Sequence, residues 1–265
     1  MRAASLNITL IQSDLHWRSA EANLAAFEEK IWKIDGPTDL IILPEMFTTG
    51  FTMEPAEVAE PVNSKTYRWL SQMAQQTQAV VMGSAIIKIQ GQFYNRMIIS
   101  HPSGDFHHYD KVHLFTLAGE DGSFSPGEQR TVFELKGWKI MPQICYDLRF
   151  PVWSRSRSET SQLYEYDLLI YSANWPEPRV QAWDTLLKAR AIENATYCAG
   201  VNRTGTDGYG KDYCGHSAVY DFLGNTALDL GEEELLATVT LSSKDLEEYR
   251  EHYPFQKDAD SFSLL

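Results

Sequence analysis

Apolar runs of strand length alternate along this chain with stretches of helical period. Asn7–Gln12 (NITLIQ) reads as a short strand, and Arg18–Ile34 sets Ala22, Ala25, Ala26, Ile31 and Trp32 near helical spacing. Gly36-Pro37 stops that helix. Asp39–Leu43 (DLIIL) is apolar without alternation, which predicts a strand buried on both faces, and Pro44 limits its extension. A second helix is predicted over Ser64–Gln76, capped at Asn63 or Ser64.

Ala79–Ile89 and Phe93–Ser100 flank Gln90-Gly91 as a hairpin. His101-Pro102-Ser103-Gly104 signals a second hairpin, with FHHYDKVHL beyond it. Further strands are predicted at Trp138–Cys145, Tyr166–Ser172, Tyr197–Asn202, Ser217–Phe222 and Glu234–Leu241, and an amphipathic helix at Ala182–Asn194. Helices and strands alternate early and late, with a run of strands between. That order predicts an α/β sandwich, two sheets faced by helices, as a single domain over residues 1–265. The segment from Ser242 onward is charged and then aromatic (EEYREHYPFQ), a C-terminal tail expected at an oligomer contact or on the surface.

A composition of 43% hydrophobic and 22% charged residues suits a globular protein with a full core. Thirty-six acidic against 23 basic residues give a net charge of −13, which argues against a nucleic-acid partner. No stretch approaches the roughly 18 uncharged apolar residues of a membrane span, and the first residues lack a signal-peptide core, so no membrane is expected. Cys145, Cys198 and Cys214 are too few and too scattered for a disulfide framework, and a reducing, cytoplasmic setting is expected.

Three reactive residue types fall where apolar runs end or pause: Glu45 in DLIILPE, Lys111 in YDKVHLF and Cys145 in QICYD. Ligands of α/β sheets gather beyond the carboxyl ends of strands, so the three could meet in one site. Alone, each has a plain reading: a small buried hydrophobe for Cys145, a turn carboxylate for Glu45, a solvated ammonium for Lys111. Together they have a chemical one. Glu45 could take the thiol proton and return it to a leaving amine, Cys145 could attack as thiolate, and Lys111 could stabilise an oxyanion beside a backbone N–H.

LPEMF around Glu45, YDKVHLF around Lys111 and ICYDLRFP around Cys145 resemble the three signature segments of the nitrilase superfamily of carbon–nitrogen hydrolases, in the family's order. Further similarity runs from LIQSD through NWP (Asn174–Pro176), AWDTLLKARAIEN and GVNR to HSAVYDFLGN, nearly the whole chain. The resemblance implies a four-layer αββα sandwich assembled as a homodimer or larger. It also implies Glu45 as general base, Cys145 as nucleophile through a thioester, and Lys111 as transition-state stabiliser. Glu120, in LAGEDGSFSPG, matches a second glutamate near the lysine. No metal or organic cofactor is implied.

HLFTLAGED, SPG, CYDLRFP and NWP look most like the omega-amidase branch, which hydrolyses the terminal amide of 2-oxo acid monoamides such as 2-oxoglutaramate and 2-oxosuccinamate. In bacteria that activity often serves methionine salvage. The alternatives are another amidase of the superfamily, acting on carbamoyl amines, aliphatic amides or deaminated glutathione, and a non-catalytic scaffold on the same fold. The expected substrate is a small anion, so a cation should meet it: Arg149, Arg155 and Arg179 are candidates, with Phe115, Tyr146 and Trp175 as pocket walls.

Other features take plainer readings. Cys198 sits inside a strand. Cys214-Gly215-His216 lacks an acid partner for protease chemistry. His101, His107, His108 and His113 fit no common zinc spacing and read as hairpin and surface residues. GTDGYGKD (205–212) lacks the phosphate-loop pattern and reads as a flexible loop near the site mouth.

Overall fold

The computed structural model describes residues 2–157 and 163–263. Two mixed sheets lie face to face. The first runs Leu235–Ser242, Ser5–Gln12, Leu40–Ile42, Val80–Ile89, Gln92–Ser100, Phe106–Asp110, and a short Glu60–Pro61 strand also pairs with Val80–Ile89. The second runs Thr226–Asp229, Ala218–Tyr220, Tyr197–Asn202, Leu168–Ala173, Trp138–Ile144, Phe133–Leu135. Each sheet has parallel strands at its centre and antiparallel ones at its edges.

Side-chain alternation builds the layers. Leu40 and Ile42 face the second sheet, while Ile41 and Leu43 face the helices Ala20–Ile31 and Lys65–Thr77. The same split separates Val80 and Met82 from Val81, and Met97 and Ile99 from Ile98. This is why DLIIL carries no polar position: both faces of its strand are covered. The second sheet is covered outside by Val180–Asn194, whose Trp183, Leu187 and Ala191 are fully buried. The predicted αββα sandwich is therefore the observed one.

Hairpin chemistry agrees with the sequence. Gln90 and Gly91 both have positive φ, at 49° and 88°, and join Ile89 to Gln92 through a two-residue turn. The 205–212 segment is more ordered in form than a plain loop. Its flanks, Thr204–Thr206 and Asp212–Cys214, pair as a small antiparallel hairpin.

The tail is not merely a surface strip. Ser243–His252 is a helix, with the Ser242 hydroxyl accepting from the Asp245 N–H. Its Leu246 is fully buried in the chain's own core. Its Arg250 donates to Asp167 at 2.7 Å, to the Tyr166 carbonyl at 2.7 Å and to the Ala195 carbonyl at 2.8 Å. Tyr253 and Phe255 beyond it stay exposed.

Close packing of the outer helix depends on Gly200. A Cβ there would lie 2.4 Å from Leu187 Cδ1 and 2.6 Å from the Trp183 ring. Gly200→Ala is expected to lower stability by about 1–3 kcal/mol through overpacking. A thermal melt matching the parent's would contradict that packing.

Candidate active site

Four strand ends converge at one edge of the sandwich. After Ile42, the Leu43 N–H extends the ladder to the Met82 carbonyl at 2.8 Å, and Pro44 ends the strand. Ser172 of the second sheet donates to the Leu43 carbonyl at 2.9 Å, pinning the sheets together two residues before Glu45. Lys111 follows the edge strand Phe106–Asp110, Cys145 follows Trp138–Ile144, and Asn174 follows Leu168–Ala173. The sequence-predicted Glu45, Lys111, Glu120 and Cys145 are thus brought together.

Glu45, Lys111 and Glu120 form one buried charge cluster. Lys111 Nζ donates to Glu45 Oε1 at 2.9 Å and to Glu120 Oε1 and Oε2 at 3.1 and 2.9 Å. Asn95 donates to Glu45 Oε1 at 2.8 Å, and the Asn174 N–H to Glu45 Oε2 at 2.8 Å. The Phe115 N–H holds Glu120 Oε2 at 2.6 Å. All three charged side chains are cut off from solvent. Burial alone would strip Lys111 of its proton, but Glu120 and Glu45 outweigh it and push its pKa up. Glu120 is pushed up as well, first by burial and then by the Glu45 charge, with Lys111 opposing.

Cys145 opens a 3₁₀ turn, Cys145–Arg149, with φ of +43°. A non-glycine residue in that region is uncommon and marks a site held in place by its surroundings. Asp147 supplies much of the hold. Its Oδ2 accepts from the Ile144 N–H at 3.0 Å and the Tyr109 hydroxyl at 2.7 Å. Its Oδ1 contacts the His113 N–H at 3.1 Å and His113 Nδ1 at 2.8 Å. One buried carboxylate therefore ties the cysteine turn to residues on both sides of Lys111.

The thiol is 9% exposed and lies 3.9 Å from the Asn174 carbonyl. Burial pushes its pKa well up, the Glu45 carboxylate adds to that, and Lys111 opposes it. Cys145 therefore rests as a thiol beside the Glu45 carboxylate rather than as a stored thiolate.

The thiol opens into a cavity of about 230 Å³. Phe115, Tyr146, Arg149 and Trp175 line it, as the sequence predicts, and so do Arg179, Phe51, Lys211 and Tyr213. The Arg149 guanidinium sits 4.9 Å above Trp175, and that of Arg179 sits 5.1 Å from Phe115. Arg155 is not part of this wall; it bonds the Glu193 carbonyl and lines a separate groove.

Sequence reasoning missed the supporting residues. Asn95 shows only as one buried polar side chain in an apolar strand. Asp147 was legible as an acid two residues past the cysteine, but not its three partners, Ile144, Tyr109 and His113. His113 is no plain surface residue: it bonds Asp147 and stacks on Phe150 at 3.8 Å. Among the described residues no group of three potential metal ligands occurs.

The carbon–nitrogen hydrolase family profile matches residues 2–251, and the chain belongs to that family, within the nitrilase superfamily. It is 43% identical over 264 residues to omega-amidase YafV of Yersinia enterocolitica, covering 99% of this chain and 100% of that protein. It is 33% identical to the 2-oxoglutaramate amidase of Bacillus subtilis, covering 95% and 96% respectively. Among solved structures, a CN-hydrolase superfamily protein from Xanthomonas campestris with an arsenic adduct in its active site superposes with a TM-score of 0.97 at 39% identity, covering 99% of this chain and 100% of that one.

Two outcomes test the site. A raised thiol pKa makes the thiolate fraction climb about tenfold per pH unit below that pKa, so Cys145 alkylation by iodoacetamide should still be rising at pH 9; a plateau near pH 7 would reveal a resting thiolate. Asp147→Asn turns one accepting oxygen into a donor against the Ile144 N–H or the His113 N–H, and should lower kcat roughly 10- to 100-fold with KM little changed. An unaltered kcat would remove Asp147 from the positioning of the cysteine turn.

Proposed function

We propose that this protein is an omega-amidase, hydrolysing the terminal amide of 2-oxo acid monoamides such as 2-oxoglutaramate and 2-oxosuccinamate to the 2-oxo dicarboxylate and ammonia. The observation that carries this is the full-length similarity to omega-amidase YafV joined to Lys111 and Cys145 at the floor of one small cavity, with Glu45 bonded to Lys111 behind it.

The geometry supports a balanced sequence of steps. Glu45 takes the Cys145 proton as Sγ bonds to the amide carbon. The carbonyl oxygen becomes an oxyanion, stabilised by the Lys111 ammonium and by the Tyr146 N–H. The C–N bond then breaks, Glu45 delivers its proton to the leaving nitrogen, and ammonia departs from a thioester. Water, deprotonated by Glu45, attacks the thioester carbon, and the thiolate leaves and regains the proton. Glu120 keeps Lys111 charged and aimed throughout. Arg149 and Arg179 supply cations for the substrate carboxylate, and Phe115, Tyr146 and Trp175 pack its methylene chain.

The same reading carries a cytoplasmic, homodimeric or larger assembly. It is supported by three unpaired cysteines and by the exposed rings of Tyr253 and Phe255 at the end of the tail, residues 242–265. No helix among the described residues is long and apolar enough to cross a membrane. Light scattering at a single-chain mass of 30.2 kDa would end the oligomer reading.

Wild-type protein should release ammonia from 2-oxoglutaramate. Cys145→Ala should lower kcat by at least ~10³-fold, and Glu45→Gln by about 10²- to 10⁴-fold. Cysteine-dependent release from N-carbamoyl compounds or simple aliphatic amides in preference would keep the catalytic residues and replace the substrate.

A further inference from the structure

The cavity above Cys145 has an unusual charge census. Four of its lining residues are cationic, Lys111, Arg149, Arg179 and Lys211, and none is a carboxylate. This occurs in a chain of net charge −13. Lys111 is neutralised by Glu45 and Glu120. The other three make no carboxylate ion pair among the described residues. The wall therefore presents three cations that the described residues leave without carboxylate counter-ions.

These cations are placed rather than loose. Trp175 and Phe115 each carry one guanidinium on a ring face, which orients it without cancelling its charge. Lys211 comes from the 205–212 hairpin. Asp207 Oδ1 accepts from the N–H groups of Tyr209 and Lys211 at 2.9 and 3.0 Å, and its Oδ2 from the Tyr213 hydroxyl at 2.8 Å. The hairpin is seated on the body of the protein. A Cβ on Gly208 would meet the Trp17 indole at 2.2 Å, and Tyr209 stands edge-on to the same ring at 5.0 Å. This seating aims position 211 at the cavity.

We propose that Arg149, Arg179 and Lys211 form an ammonium-excluding rim, with Lys211 the specificity-determining residue that makes the pocket accept 2-oxo acids and reject the corresponding α-amino acids. The inference rests on the omega-amidase reading and adds the basis of its selectivity. A carboxylate beside a carbonyl offers the rim only acceptors, which guanidinium and ammonium donors can satisfy. An α-ammonium entering the same place would lose water, face like charges and find no carboxylate, a penalty that grows as solvent is excluded. The 2-oxo acid amide and its amino acid parent differ only at that carbon, so the rim alone can separate them.

The test uses two unreactive ligands that differ at that carbon, 2-oxopentanoate and norvaline, titrated against the full-length protein by tryptophan fluorescence. Wild type should bind 2-oxopentanoate at least ~10-fold more tightly. Lys211→Met should narrow that ratio, Lys211→Glu should abolish or invert it, and Lys211→Arg should preserve it. A purely structural role for Lys211 would weaken both ligands equally and leave the ratio intact, which would overturn the proposal. So would equal binding of the two acids by wild type. Ammonia release is measured in parallel. Wild type that prefers 2-oxopentanoate yet releases no ammonia from 2-oxoglutaramate sinks the activity reading alone. Wild type that releases ammonia but shows no preference sinks only the rim.

Discussion

The Lys111 ammonium, held between Glu45 and Glu120 with no access to water, is the interaction on which the rest of the site depends. Three charges buried together are costly, and such a cluster survives only where each partner is fully bonded. Asn95, the Asn174 N–H and the Phe115 N–H complete the bonding of the two carboxylates. Each of these donors lies on a different element, so the cluster fixes the geometry of the whole strand-end face. A neutral lysine in its place would leave Glu45 and Glu120 without their charge partner.

The sandwich makes that arrangement possible because the clustered groups come from both sheets. Glu45 and Lys111 extend the first, and Cys145 and Asn174 extend the second. The distance from thiol to base is therefore set by how the two apolar inner faces interdigitate, and by the Ser172–Leu43 hydrogen bond that crosses between them. A methylene misplaced in the core would be felt at the thiol, since interiors are close-packed and transmit strain. Gly127 works at the same scale. A Cβ there would lie 2.2 Å from the Asp110 carbonyl, so only glycine lets its N–H reach the Lys111 carbonyl at 2.8 Å.

Much of this was legible in the sequence because the signals were local. Uninterrupted apolar runs marked the doubly covered strands, and Gln90-Gly91 marked its turn. The two short strands Phe133–Leu135 and Thr226–Asp229 carry little of that signal: the first spans three residues, and the second is mostly exposed at a sheet edge. The helix Ser243–His252 was read as tail because charge dominates it, although Ser242 with Asp245 three residues on is a capping pattern. Asp147 and Asn95 were beyond reach for a different reason. Their roles lie in partners 34 to 50 residues away, and no local periodicity encodes such partners.

Floor and walls of the cavity answer to different constraints. At and behind the floor, the carboxylates, the ammonium and the thiol are held by burial and by close contact. The walls carry solvent-accessible cations steadied on aromatic faces or on a short hairpin. The two parts also differ in sign. Two carboxylates share one ammonium behind the floor, while the rim is positive. A molecule with a neutral amide at one end and an anion at the other would meet that difference in sign with its anion at the rim.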